Sequence, residues 1–241
     1  MSVTQPVAGV PSEEPPAERS QSSSSARIRP ARHTPPSERP RAGRQPGIQS
    51  PTNQARRRQI VDAAVAVLAD SGYARTSFAR IAEHARLSST RLISYHFAGK
   101  ADLMTAVVTD VLGALGGHVG AMVGAEQLAA DQLRAYIDGV VGFVDGHRAE
   151  MVALTEVMLG AGFEDGIKAD ESAAGHLEQI LVRGQRRGEF RPFDAAVMAA
   201  VVQRSVDSLP FAVRANPAMD CAAYARELVE LFRRATAADP R

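Results

Sequence analysis

The stretch Phe78-Ala79-Arg80-Ile81-Ala82-Glu83-His84-Ala85, followed by Arg86-Leu87-Ser88 and then Ser89-Thr90-Arg91-Leu92-Ile93-Ser94-Tyr95-His96, decides the fold. It reads as two short helices joined by a tight turn. Thr76 or Ser77 caps the first, at about 78–85, because a hydroxyl oxygen there satisfies an orphan backbone N–H. The second is expected over about 89–96, where Ala98-Gly99 interrupts it. Such a pair sets one helix in the major groove of DNA while the other braces it against the backbone. Ile81 and Ala82 are the inward residues of the bracing helix. In the reading helix Leu92, and less firmly Ile93, faces the core, which leaves Ser89, Thr90, Arg91 and Ser94 for DNA. Among these, only Arg91 has a side chain suited to a bidentate contact with guanine.

Upstream, Ile60, Ala64, Val67 and Leu68 follow helical spacing. Gly72 ends that first helix, since glycine accepts a left-handed cap without penalty. Downstream the pattern stays helical, near 101–122, 126–146, 148–160, 168–188, 194–215 and 220–236, with Gly160–Gly166 as a loop. Pro192 and Asp194 mark the start of the eighth helix, Pro210 should kink it, and Asp220 caps the ninth. No segment alternates with period two. The expectation is an all-α protein with an N-terminal three-helix DNA-binding domain and a C-terminal helical domain for ligand binding and dimerisation.

Residues 1–50 contain Ser22-Ser23-Ser24-Ser25, Pro15-Pro16 and Pro35-Pro36 but almost nothing to bury, so a disordered tail is expected. The remainder divides into a helix-turn-helix domain over 51–104 and a larger domain over 105–241. A net charge of +1 hides an asymmetry. Residues 1–104 carry 15 Lys and Arg against 8 Asp and Glu, a balance of +7, while residues 105–241 carry 13 against 19, a balance of −6. The basic half attracts phosphate. No run approaches the ~18 consecutive apolar residues of a membrane helix, so no membrane partner is expected. The N-terminus shows no apolar leader core, and Glu13, Glu14 and Glu18 argue against a transit peptide. The single cysteine, Cys221, excludes an internal disulfide and suits a reducing cytoplasm. It is expected as a small buried residue.

Several separately placed elements also resemble the tetracycline-repressor-like (TetR) family. They are Arg57-Arg58-Gln59-Ile60-Val61-Asp62-Ala63-Ala64, then Gly72-Tyr73-Ala74-Arg75-Thr76-Ser77, then Ile81-Ala82, and finally Ile93-Ser94-Tyr95-His96-Phe97-Ala98-Gly99-Lys100-Ala101-Asp102-Leu103. Their shared order and spacing make the match specific over about 56–104. The resemblance implies phosphate contacts from Thr76 and Ser77 at a helix N-terminus, itself an anion site, and from Tyr95 and His96. It places Lys100 beside the DNA and Phe97 in the small domain's core. Phosphate contacts position a protein, whereas the start of the reading helix specifies sequence. Two departures stand out. The family's turn commonly has glycine where this chain has Arg86, and the interval from Ser88 to Phe97 is one residue longer. A wider turn, or a reading helix that starts a residue later, is the expected consequence.

The resemblance also implies that the last two helices pack against a second copy. Leu209, Val213, Tyr224, Leu228, Leu231 and Phe232 are the candidates, with internal core the competing role for each. A symmetric dimer would read a roughly palindromic operator with half-sites about one helical turn apart, ~34 Å, or a multiple. Arg187-Gly188-Glu189-Phe190-Arg191-Pro192 resembles the family's dimerisation end less specifically. A ligand pocket is implied between the fourth and seventh helices. Met122, Tyr136, Phe143, His147, Met151, Leu154, Thr155, Met158, His176 and Gln179 are its possible lining, against the plainer role of core, and apolar walls suit an amphipathic effector. Gly113, Gly116, Gly117, Gly120 and Gly124 would permit close helix approach, a hinge or a frayed end.

No phosphate-binding loop, nucleotide fingerprint or metal spacing occurs, so neither enzyme nor cofactor is expected. His118, His147 and His176 fall on different helices without a metal signature. The function expected is a cytoplasmic, DNA-binding regulator, a repressor released by a small molecule. The alternative is a helical ligand- or partner-binding protein that has lost sequence-specific DNA binding, for which Arg86 in the turn is the best argument.

Overall fold

The computed structural model describes residues 50–161 and 164–238, and side chains are described outside 164–172. The expected tail therefore lies, except for Ser50, outside the described residues. Everything below belongs to the compact unit Pro46–Arg241. Its described residues form ten α-helices: α1 Pro51–Ser71, α2 Phe78–His84, α3 Arg91–His96, α4 Lys100–Gly124, α5 Ala129–Gly146, α6 Arg148–Ala161, α7 Glu164–Arg186, α8 Ala195–Asp207, α9 Leu209–Ala215 and α10 Cys221–Thr236. The one β-type pairing among them is an isolated bridge between Phe190 and Ala237.

Local chemistry explains the ends. Ser50 caps α1 with Pro51 in its first turn, and Gly72 at φ 77° closes it with a bond to the Leu68 carbonyl. Asp194 and Asp220 cap α8 and α10 through Val197 and Ala223 N–H. One apolar stripe of α1 (Ile60, Ala64, Val67, Leu68) is buried, and α1 packs along α6 and against α2 and α4. The lower half of α4 buries Leu103, Met104, Val107, Val108 and Val111. The remaining body pairs α4 with α5, α7 with α8, and α5 with α10.

Several expectations are corrected. The loop over Gly160–Gly166 shrinks, because α6 runs to Ala161 and α7 starts at Glu164. The helix expected over 194–215 is not kinked but broken at Ser208, with Pro210 in the first turn of α9, where its missing N–H costs nothing. The α4 glycines support no close helix approach, since a Cβ at any of the five would meet no atom within 4 Å. The 187–192 segment ties the start of α5 to the end of α10. Gly188 turns at φ 74°, Glu189 accepts from the N–H of Ala130 at the start of α5, and Arg191 N–H donates to the Thr236 carbonyl. Lys100–Gly124 and the α8–α9 pair are long and apolar enough to cross a membrane by length and composition. Cys221 is buried, and desolvation raises its thiol pKa, which disfavours the reactive thiolate.

Candidate nucleic-acid interface

The turn between α2 and α3 closes without glycine. Arg86 takes φ 52°, in the left-handed region. Leu87 N–H donates to the Ala82 carbonyl (2.8 Å) and Arg86 N–H to the Glu83 carbonyl (3.0 Å). These are the two bonds of a Schellman ending, which satisfy carbonyls that the last helical turn leaves orphaned. The reading helix then starts at Arg91, two residues later than expected, with the Ser89 hydroxyl accepting from Arg91 N–H at 3.1 Å. This later start rotates the helix relative to the sequence-based phase. Ile93 is fully buried and Leu92 is 37% exposed, so the expected order of the two is reversed.

Arg91, Ser94 and Tyr95 share the outer surface of α3 with Leu92. The Arg91 guanidinium has no hydrogen bond or ion pair among the described residues. Tyr95 is 67% exposed, its ring edge-on to His96 with centroids 5.2 Å apart. Ser94 Oγ donates back to the Thr90 carbonyl at 3.4 Å. Ser77 is exposed and caps α2 through Arg80 N–H. Thr76, by contrast, is buried and its hydroxyl donates to the Gly72 carbonyl at 2.8 Å. Lys100 is also engaged: its ammonium donates to the Tyr73 carbonyl at 2.7 Å and sits 4.0 Å from the centre of the Tyr73 ring. Partial burial lowers its pKa. His96 is half-buried, with its pKa lowered first by desolvation, then by Arg57 and Arg56.

Sequence reasoning missed what holds the reading helix in place. Arg57 lies over the Phe97 ring, 4.3 Å from its centre, and donates to the His96 carbonyl at 3.4 Å. Gln59 Nε2 donates to the Ala85 carbonyl at the end of α2 (2.9 Å). Two residues of α1 thus fasten the ends of both short helices. The 39- and 26-residue separations of these contacts leave no local signal.

The other candidate sites divide. Of the expected pocket residues, Tyr136, Phe143, Met151, Leu154 and Thr155 are buried, Met122 is half-buried, and His147, Met158, His176 and Gln179 are exposed. Tyr136 donates its phenol to Gln203 Oε1, and Gln203 in turn donates to Asp207 (2.7 Å). Phe143 stacks on His147 at 4.0 Å, with His118 at 5.8 Å, an arrangement of rings and not of metal ligands. Two clefts, of about 540 and 470 Å³, lie elsewhere, one by the α1–α2 turn and one where α5 meets α10.

Of the expected dimer residues, Leu209 and Val213 on α9 and Phe232 on α10 are buried in the chain's own core. Tyr224 and Leu228 are half-buried, the Tyr224 hydroxyl donating to the Ser205 carbonyl at 2.6 Å. Leu231 is 57% exposed. Val197 and Val201, one turn apart on α8 and missed in the sequence, are 60% and 50% exposed.

A buried hydrophobic anchor, a closed turn and a short helix with an outward polar face define a helix-turn-helix protein. Residues 60–107 match the family model described as bacterial regulatory proteins, tetR family. Among solved structures, the chain is similar to a regulatory protein in the tetR family from Rhodococcus RHA1 (TM-score 0.66, 21% identity, covering 77% of this chain and 98% of that one). It is similar to the transcriptional regulator FadR from Bacillus subtilis in complex with stearoyl-CoA (TM-score 0.64, 21% identity, 73% and 96%). It also resembles AibR in complex with isovaleryl coenzyme A and operator DNA (TM-score 0.62, 20% identity, 73% and 97%). No curated protein matches the sequence. Residues 60–107 thus carry the N-terminal domain pattern of the tetR family, and the chain shares the fold of these solved structures.

Proposed function

We propose that this chain is a dimeric, sequence-specific DNA-binding regulator of the cytoplasm, a repressor that a small-molecule effector releases from a roughly palindromic operator. The observation that carries the reading is the outer face of α3. It presents an uncommitted guanidinium, Arg91, beside Ser94 and Tyr95, on a helix anchored by Ile93 and fastened by Arg57 and Gln59. In this reading Arg91 reads a base. Ser77, Ser89, Thr90, Ser94, Tyr95 and His96 contact backbone or base edges. Thr76 and Lys100 hold the Tyr73 turn from inside. The DNA-binding domain spans 51–104 and the effector and dimer domain 105–241. The Arg86 turn, which favoured a protein without specific DNA binding, closes with the bonds of a regular helix ending.

Dimerisation falls to the exposed apolar residues Val197, Val201 and Leu231, with half-buried Leu228. The effector site falls to the body's apolar interior around Tyr136, Phe143, Met151 and Thr155. Two similar structures hold acyl-CoA molecules, which supports an amphipathic effector. The effector must bind the released dimer geometry better than the DNA-bound one, since only differential affinity shifts the balance. The reading asks for no catalytic step. Arg91→Ala is expected to cost ~1–3 kcal/mol of specific affinity and to relax preference at one base position, measured by titration against the selected operator and its single-base variants. Unchanged affinity and preference would remove Arg91 from the reading surface.

A further inference from the structure

The connection between α1 and α2 is gripped from both sides. Tyr73 N–H donates to Glu156 Oε2 on α6 at 2.9 Å, and Glu156 Oε1 lies 2.6 Å from Arg214 Nη2 on α9. The Glu156 side chain is only 16% exposed, so its charge is held by these two partners in a medium where such bonds are strong. The Tyr73 carbonyl accepts from Lys100 on α4, and the Lys100 ammonium covers one face of the ring. One turn beyond Glu156, Gly160 makes room for that ring. A Cβ there would come within 2.3–2.8 Å of three Tyr73 side-chain atoms, far inside contact distance. Helix α6 therefore offers both an anion and a slot, and Tyr73 occupies both. Tyr73 lies only four residues before Ser77, the cap of α2. The main helix-to-helix packing of the DNA-binding segment on the body is that of α1 on α6 and α4.

We propose that Glu156 is a positioning residue for DNA recognition. The Arg214–Glu156–Tyr73 chain, seated at Gly160, fixes the attitude of the reading helix on the dimerising body, and thereby the separation of half-sites that the dimer accepts. The inference rests on the regulator reading above. Successive base pairs rise by about 3.4 Å, so a shift of ~1.7 Å at each of two domains spans one base pair. On the α6 side the turn is held by one charge-assisted bond and one ring slot, a small enough restraint to control that distance.

The test compares full-length wild-type protein with Glu156→Ala and Glu156→Gln in selection from a random double-stranded DNA pool. The selected half-site is then placed at spacings from two base pairs shorter to two longer. Wild type is expected to enrich one spacing. Glu156→Ala should enrich the same half-site sequence but lose about tenfold of its preference for that spacing, the equivalent of one charged hydrogen bond. Glu156→Gln keeps an acceptor for Tyr73 N–H and should restore most of the preference. If Glu156→Ala fails to fold, Gly160→Ala evicts the ring and should broaden spacing in the same way. A variant that weakens binding equally at every spacing overturns the proposal, because a residue needed only for stability acts so. A wild-type protein that enriches no half-site overturns the regulator reading, and this inference with it.

Discussion

At Arg86 the chain does something that glycine does more cheaply. A non-glycine residue in the left-handed region costs about 1 kcal/mol or more from crowding of its Cβ, yet the turn keeps both capping bonds. Arg86→Gly is therefore expected to raise stability by ~0.5–1 kcal/mol, after allowing for glycine's greater freedom when unfolded, as read from denaturant or thermal unfolding. His96 gives the pH dependence. Its folded pKa is below the ordinary histidine value, so the unfolded chain takes up the proton first. Its contribution to stability is complete above about pH 6.5 and is lost as pH falls towards the depressed folded value. A DNA phosphate beside it acts in the opposite direction and raises its pKa, so binding takes up a proton. DNA affinity should rise as pH falls from about 7.5 to about 5.5, and His96→Gln should flatten that slope. An unaltered slope would place His96 away from phosphate. At this scale the sequence was legible where chemistry is local. The caps Asp194 and Asp220 and the terminator Gly72 follow from residue type, and the α2 cap follows to within the pair Thr76 and Ser77, of which the structure uses Ser77. The choice between Leu92 and Ile93 did not, because one residue is 100° of helix and the start of α3 depends on how Arg86 bends.

Among the elements, the short helices α2 and α3 have little stability of their own, since isolated helices of six or seven residues are marginal in water. They persist because α1 supplies their floor and fastens their ends through Arg57 and Gln59. Helical periodicity announced α1, whereas its grip on residues 85, 96 and 97 arises only in three dimensions. The break between α8 and α9 shows the same division. Pro210 signalled an interruption, but not that α9 would turn Leu209 and Val213 inward. The separation of core from exposed face makes a paired prediction. Leu209→Ala should lower unfolding stability by ~2–5 kcal/mol while leaving the dimer's mass in analytical ultracentrifugation unchanged wherever the protein folds. Val201→Asp should leave the protomer folded, by circular dichroism, and shift the dimer towards monomer. The reverse pattern would exchange the roles of the two faces.

Over the whole molecule, residues 50–104 carry 8 Lys and Arg against 4 Asp and Glu, a balance of +4, and the packing of α1 on α6 joins this basic segment to the body. The helix-turn-helix was legible because a contiguous motif carries its own spacing. The effector and dimer surfaces were less so, since apolar residues at helical spacing look alike whether they line a core, a pocket or an interface. What unites the account is the claim that two copies of α3 read a defined sequence. The most direct test is selection of fragments from a random DNA pool by the purified full-length dimer near physiological salt. The account predicts recovery of one palindromic motif, with half-sites a helical turn or a multiple apart and binding that weakens steeply with added salt. Recovery of unenriched DNA by a correctly folded dimer would contradict it.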